Sequence, residues 1–388
     1  MNLGNTINRH LYRLFLGAAK GAKQRYYLKK MKAFNRGFVD LLTEGWEEKS
    51  RKEAYQRVVV PRWKEYGRRP ERFWFELAGS RDHVMDPRFI PSDMYYTELL
   101  PYLNNLQFRF ALEDKNFLEM FFHDVKQAKT VCRRIAGEYY DANGTLIHEQ
   151  DAVGLCRNQQ AELFIKPSLY GGCGLGIQSF TSRSCSDKKI REYFLDTGEN
   201  FIVQERIRQH PVLEKISPDS VCTIRVLSLF LNGEVTIPNI FLRYGVAGAG
   251  RVMVRNEYDV EILPDGRLAS RVYLDEGGWF GRLEAGIKED DLVIPGMDRI
   301  RTLTEALHPR VGHFKWIGWD FTLDEAGDPL LIEFNSTPGE HAQRVCGRPL
   351  FGDMTDKVLE DYFRNRSLEG VQLRGCWCTN DNIDRYRE

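Results

Sequence analysis

The sequence predicts an α+β fold in which a mainly helical N-terminal domain precedes a longer region of antiparallel strands and hairpins. Three observations carry this. In the first hundred positions Leu, Phe, Tyr and Met recur at three- and four-residue intervals with Lys and Arg between them, the period of an amphipathic helix. From about Arg134 the pattern changes to short apolar runs separated by Asn-Gly and Asp-Gly pairs, which are hairpin turns. At 388 residues the chain is also too long for one typical core, so two or three packed units are expected.

Taken in order, LYRLFLGAAKGAKQRYYLKKMKAFNRGFVDLL reads as helix, and Pro61, Pro70, Pro87, Pro91 and Pro101 then read as breaks into shorter pieces. Helix-like sequence resumes after Glu113. Strand runs flank Asn143-Gly144, AELFIKP and FIVQERI are further strands, and two long strands meet at Asn232-Gly233. Another turn lies at Asp265-Gly266, GMDRIRTLTEALHPRV reads as a helix, and IGWDFTLD and PLLIEFN are joined by the turn 325–328.

Composition narrows the function. Fifty-five basic and 55 acidic residues cancel, so no overall field favours nucleic acid. Residues 1–39 depart from that balance, with nine Lys or Arg and no Asp or Glu. That basic segment reads first as a helix with a solvated face, and alternatively as a peripheral contact with the inner membrane face or a lipid-linked substrate. No apolar run approaches a membrane span, so a cytoplasmic protein is expected. The eight cysteines show no CxxC or finger spacing and read as reduced, packed thiols, with Cys376 and Cys378 carrying no assigned role. His210 and His341 read as structural or solvent-facing, with substrate contact as the alternative.

Two stretches carry candidate chemistry. In FIKPSLYGGCGLG, Lys166 precedes Gly171, Gly172, Gly174 and Gly176. A P-loop places its lysine after the glycines, and the GxGxxG spacing is absent, so neither motif applies. What remains is a strand, a lysine and a glycine-rich turn, which can lay backbone N–H groups against phosphate oxygens because no Cβ obstructs the approach. A glycine-rich hairpin with a surface lysine is the competing reading. In WDFTLDEAGDPLLIEFNSTPGE, Glu333 and Asn335 stand two apart on one strand and so share a face. A hairpin around 325–328 brings Asp320 opposite them. Two carboxylates and an amide oxygen are hard ligands that suit Mg²⁺ held together with phosphates. Strongly apolar neighbours argue against a merely solvated polar hairpin.

The spacing of Asp320-Phe321 from Glu333-Phe334-Asn335, followed by Thr337-Pro338-Gly339, resembles the metal-binding signature of carboxylate–amine ligases of the ATP-grasp superfamily, D-alanine–D-alanine ligase among them. FIKPSLYGGCGLGI is similar to their strand and phosphate-covering loop, and Glu113-Asp114-Lys115 to the segment whose lysine reaches ATP phosphate. FIVQERI resembles their adenine-holding hinge, at Gln204, Glu205, Arg206 and Ile207. Within the superfamily the chain most resembles the sugar-transfer-associated proteins, through TIRVLSLFLNGEV, FLRYGVAGAGRV, PDGRL and IPGMDRI. In related ligases a strand arginine contacts the transferring phosphoryl group, a role that passes here to Arg225 and Arg243. The arginine that D-alanine ligases carry two residues before the metal-binding aspartate is Gly318 here.

The resemblance implies an ATP-grasp fold, with two α+β subdomains clasping ATP behind an N-terminal helical domain. Its boundaries are a cap over 1–110, a lid subdomain over 111–207, a metal-bearing subdomain over 208–370 and a tail over 371–388. It implies ATP and one or two Mg²⁺ ions, with Mn²⁺ as an alternative, and an ATP-dependent ligase joining a carboxylate to an amine or other nucleophile through an acyl phosphate. Acceptors on a sugar, peptide or lipid-linked precursor fit that class. The alternatives are a kinase with a hydroxyl acceptor and a nucleotide-binding scaffold without turnover.

Overall fold

The computed structural model describes residues 25–26, 28–169, 174, 176–183, 185–245, 257–274, 278–281 and 292–365. Most of the basic 1–39 segment, Gly171, Gly172, Cys173, Cys376 and Cys378 lie outside these residues. Two units divide the chain, one formed by 1–107 with 347–388 and the other by 108–346.

The first unit is helical where described. Pro61 and Pro101 do not break it, contrary to expectation. Each lies just inside a helical stretch, Val60–Glu65 or Leu100–Leu103, and a five-residue π segment, Tyr55–Val59 or Tyr95–Leu99, precedes each stretch. A proline lacks the N–H for the i→i−4 bond, and a widened turn accommodates that loss without ending the helix. Helix Thr355–Asn365, expected with the 208–370 segment, groups with this unit instead. Its apolar face supplies aromatic partners there: Tyr66 stacks on Phe363 at 4.5 Å, and Tyr102 meets Tyr362 edge-on at 5.3 Å.

In the second unit a six-stranded sheet holds β1 (Thr130–Ile135), β2 (Glu138–Asp141), β3 (Leu146–Ile147), β4 (Glu162–Pro167), β5 (Gln178–Thr181) and β6 (Phe201–Glu205). Its order is β3-β2-β1-β6-β4-β5, antiparallel throughout. The expected Asn143-Gly144 hairpin forms, but its second strand is only two residues long. Glu149–Arg157 is helix, opened by a reciprocal cap between His148 and Asp151. Cys156 and Phe194 on two helices close a core with Cys132, Leu163, Ile165 and Phe201.

A seven-stranded antiparallel sheet follows: β7 (Thr223–Leu231), β8 (Glu234–Gly245), β9 (Glu257–Ile262), β10 (Leu268–Leu274), β11 (Gly278–Gly281), β12 (Trp316–Leu323) and β13 (Pro329–Asn335), ordered β11-β10-β9-β8-β7-β12-β13. Asn232 and Gly233 both take positive φ, +54° and +85°, the turn whose twist matches its flanking strands. Gly266 has φ +86°, and a Cβ there would lie 2.4 Å from the Ile294 carbonyl oxygen, so that turn admits only glycine. Helix Met297–Leu307 covers one face of this sheet, and β12 is buried along its whole length. No helix among the described residues is long and apolar enough to cross a membrane.

Candidate active site

Register across β7, β12 and β13 sets the site. Asp320 on β12 pairs with Glu333 on β13 and, on its other side, with Arg225 on β7. The β12–β13 register slips between Asp320 and Phe321, so Ile332 and Glu333 together oppose one step of β12. That bulge lets both side chains line the same cleft. The cleft measures about 1090 Å³, and residues of both sheets line it, Phe164 and Lys166 from β4 facing Arg225, Asp320 and Glu333.

Asp320 is buried and gripped from two sides. Arg225 donates through Nε to Oδ1 and through its terminal nitrogen to Oδ2 at 2.9 Å, and Asn335 Nδ2 donates to the same Oδ2 at 3.2 Å. Burial pushes the Asp320 carboxyl upward, Arg225 works against that, and nearby Glu333 adds to the rise. Glu333 meets Lys115 Nζ at 2.9 Å. Burial raises its pKa as well, but the lysine outweighs this and holds the carboxyl below its ordinary range. For Lys115, burial disfavours the ammonium, and Glu333, with Glu113 and Asp114, keeps the pKa above its usual value.

Lys166 differs. Its ammonium has no ion pair or hydrogen bond with a described residue. Burial and the repulsion of Lys115 bring its pKa down from 10.5 to about 8. Gly174 and Gly176, in the turn beyond β4, both have positive φ. A Cβ on Gly176 would also come within 2.8 Å of the Pro167 ring, so that glycine serves the turn itself.

Arg243 lies on β8, paired across to Asp259 on β9. It bonds Asp259 in bidentate fashion at 2.9 and 3.0 Å, meets Glu257 at 3.0 Å and lies 3.2 Å from His341 Nε2. Of the hinge residues, Glu205, Arg206 and Ile207 line the cleft. Gln204 is turned to β1, where its amide donates to the Ala128 carbonyl and the Thr130 hydroxyl, each at 3.3 Å.

Sequence reasoning missed Glu113. Its Oε1 accepts from the Ser336 N–H at 2.5 Å and hydroxyl at 2.7 Å, and its Oε2 from Arg109 at 2.6 Å. Two residues on, the Lys115 N–H donates to the Ser168 carbonyl just past β4. The 113–115 segment thus ties the turn after Asn335 to the strand bearing Lys166. Its acidic residues beside Lys115 were a visible signal, but their partner lies more than 200 positions away. At Gly318 a Cβ would meet Pro338 Cβ at 3.0 Å and the Arg225 stem at 3.3 Å, so Arg225 and Pro338 occupy the space a side chain would need.

No group of three or more His, Cys, Asp or Glu side chains among the described residues is arranged to hold a metal. Two carboxylates and one amide are brought together instead: Asp320, Glu333 and Asn335 on adjacent strands, with the Asn335 amide oxygen left as an acceptor. Such a donor set fits a hard divalent cation that takes its remaining ligands from phosphate and water.

Residues 284–357, which include β12 and β13, match the family model for sugar-transfer associated ATP-grasp proteins. No curated protein matches the chain. Among solved structures it is similar to the VanG D-Ala:D-Ser ligase of Enterococcus faecalis, at 14% identity over 64% of this chain and 61% of the ligase, with TM-score 0.40. D-alanyl-alanine synthetase A of Vibrio cholerae matches at 12% identity over 68% of this chain and 66% of the synthetase, TM-score 0.39. Biotin carboxylase of Campylobacter jejuni matches at 11% over 67% of this chain and 47% of the carboxylase, TM-score 0.41. The chain thus spans less than two thirds of the length of each. The matching stretch includes the strands that carry Asp320, Glu333 and Asn335, so the similarity to sugar-transfer associated ATP-grasp proteins falls on one wall of this cleft.

Proposed function

We propose that this chain is an ATP-dependent ligase that activates a carboxylate as an acyl phosphate and passes the acyl group to an amine or another nucleophile. The observation that carries this is Lys166: a cation that forms no ion pair with a described residue, in one cleft with Lys115, Arg225 and the carboxylates of Asp320 and Glu333. An ammonium so placed favours an anion, and nucleotide phosphates are the anion this superfamily handles. In the first step a carboxylate oxygen attacks the γ-phosphorus, the β–γ bridging P–O bond breaks, and ADP leaves. In the second, the nucleophile attacks the acyl carbon, the C–O bond to phosphate breaks, inorganic phosphate departs and the nucleophile loses a proton.

Lys115 and Lys166 hold phosphates, Arg225 steadies the transferring group, and the turn with Gly174 and Gly176 covers it, the role the sequence motif also gives Gly171 and Gly172. Asp320, Glu333 and Asn335 would hold Mg²⁺, one or two ions, or Mn²⁺ in its place, which supplies charge neutralisation at the phosphates. Glu205, Arg206 and Ile207 border the adenine end, with Gln204 bracing their strand through the Ala128 carbonyl and the Thr130 hydroxyl. Arg243 also lines the cleft and, though paired with Asp259 and Glu257, is assigned with Arg225 to the transferring group. The acceptor we propose lies on a sugar, peptide or lipid-linked precursor of cell-surface polysaccharide, and the match to sugar-transfer associated proteins supports the sugar-related part of that reading.

Incubation with Mg²⁺-ATP and pooled acceptors tests this. Phosphate release that requires both a carboxylate and a nucleophile supports the ligase. A stable phosphorylated acceptor would replace it with a kinase, and binding without ADP with a scaffold. Glu333→Gln should abolish ATP turnover while circular dichroism stays unchanged; full turnover in that variant refutes the role given to Glu333.

A further inference from the structure

The two carboxylates offered to a cation are already held by the two cations offered to phosphate. Arg225 engages both oxygens of Asp320, and Lys115 engages Glu333. Arg225 and Asp320 are both buried, so neither charge finds compensation in water if its partner leaves. We propose that these pairs are exchangeable counter-ions: nucleotide phosphates and a divalent cation enter together, because each takes over the partner the other displaces. This rests on the nucleotide reading of the cleft.

A divalent cation approaching Asp320 alone meets a guanidinium bonded to the same oxygens. Phosphates approaching Arg225 alone meet the Asp320 carboxylate, and at Lys115 they meet Glu333. Either ligand by itself leaves a buried charge of one sign in excess, whereas together they supply both replacement partners. Lys166 forms no ion pair with a described residue, so a phosphate can engage it without breaking one. It is the natural first contact, and the exchange follows at Arg225 and Lys115. The two sites are therefore coupled thermodynamically, and the coupling acts equally in both directions.

The sign of one effect separates this from a structural role. Removing a competing cation should tighten metal binding, whereas loss of a merely structural ion pair would loosen it. Mn²⁺ binding to the full chain can be followed by electron paramagnetic resonance without nucleotide. Arg225→Gln and Lys115→Gln should each bind Mn²⁺ about 10-fold more tightly than the natural chain, while binding a non-hydrolysable ATP analogue more weakly. Lys115 is less enclosed than Arg225, so its variant keeps the test available should Arg225→Gln fail to fold. Unchanged or weaker Mn²⁺ binding in a folded variant overturns the exchange. Failure of the natural chain to bind the analogue even with Mn²⁺ overturns the nucleotide reading itself, and the exchange with it.

Discussion

Lys166 should make nucleotide binding depend on pH in a range where few lysines titrate. With its pKa at about 8, the ammonium is half neutralised there, whereas Lys115, held up by Glu333, stays charged. A phosphate bound beside the ammonium should return its pKa at least to the ordinary lysine value of 10.5, since a close anion favours the charged form. Only the protonated lysine attracts the phosphate, so raising pH through the free-site pKa weakens binding, and above it each binding event takes up a proton. From these two values affinity for a non-hydrolysable ATP analogue should fall about 20-fold between about pH 7.5 and about pH 9.5. The last ionisation of the γ-phosphate, finishing at the lower end of that range, strengthens binding as pH rises and so acts with the opposite sign, and Lys166→Met isolates it. Isothermal titration in two buffers of different ionisation enthalpy should show close to one proton taken up per nucleotide near pH 9. Lys166→Met should bind weakly at every pH without the slope. A flat affinity profile in the folded natural chain, or a slope that survives in Lys166→Met, would refute the reasoning.

Two further outcomes concern stability. His308 is buried and neutral: its Nε2–H donates to the Phe314 carbonyl at 3.0 Å, and Nδ1 accepts from Ser228, whose oxygen accepts from Trp319. Burial lowers its pKa from 6.5 to about 4, so between those values the unfolded chain binds a proton that the folded chain refuses. Stability from this group is complete above pH 6.5 and falls as pH drops toward 4, by about 3 kcal/mol; urea denaturation should show the loss, reduced in His308→Gln. Gly318→Ala adds a Cβ 3.0 Å from Pro338 and 3.3 Å from the Arg225 stem, and should cost about 1–3 kcal/mol and weaken analogue binding. Unchanged midpoint and affinity would show that the neighbours yield freely.

Much of the strand framework could be read from sequence because its turns are local. Asn232-Gly233 and Asp265-Gly266 announce themselves in two residues, and with the hairpin centre at 325–328 known, the approach of Asp320 to Glu333 follows from strand spacing. The Asp320/Phe321 slip was not legible, since nothing in LLIEFN marks which residue is extra. The helix at Glu149–Arg157 hides for a different reason: HEQDAV is too short for its period to show before the cap forms. Pro61 and Pro101 misled because a π segment relieves a proline that an α-helix alone would not tolerate.

In the site, residue types were legible and partnerships were not. Lys115, Lys166, Arg225, Asp320 and Glu333 all line the cleft, but which cation holds which carboxylate depends on contacts between residues about 95 to 220 positions apart. Gly318 shows how such a partnership excludes alternatives. An arginine there, as the related ligases carry, would start from a Cβ 3.3 Å from the Arg225 stem and 3.0 Å from Pro338, so the two side chains compete for one volume. Close packing allows one guanidinium at this place. Placing it on β7 instead of β12 lets it face Asp320 across the register, whereas a side chain at 318 would have to reach along its own strand. That cross-strand placement gives the bidentate grip on Asp320, and through it the dependence of cation binding on phosphate.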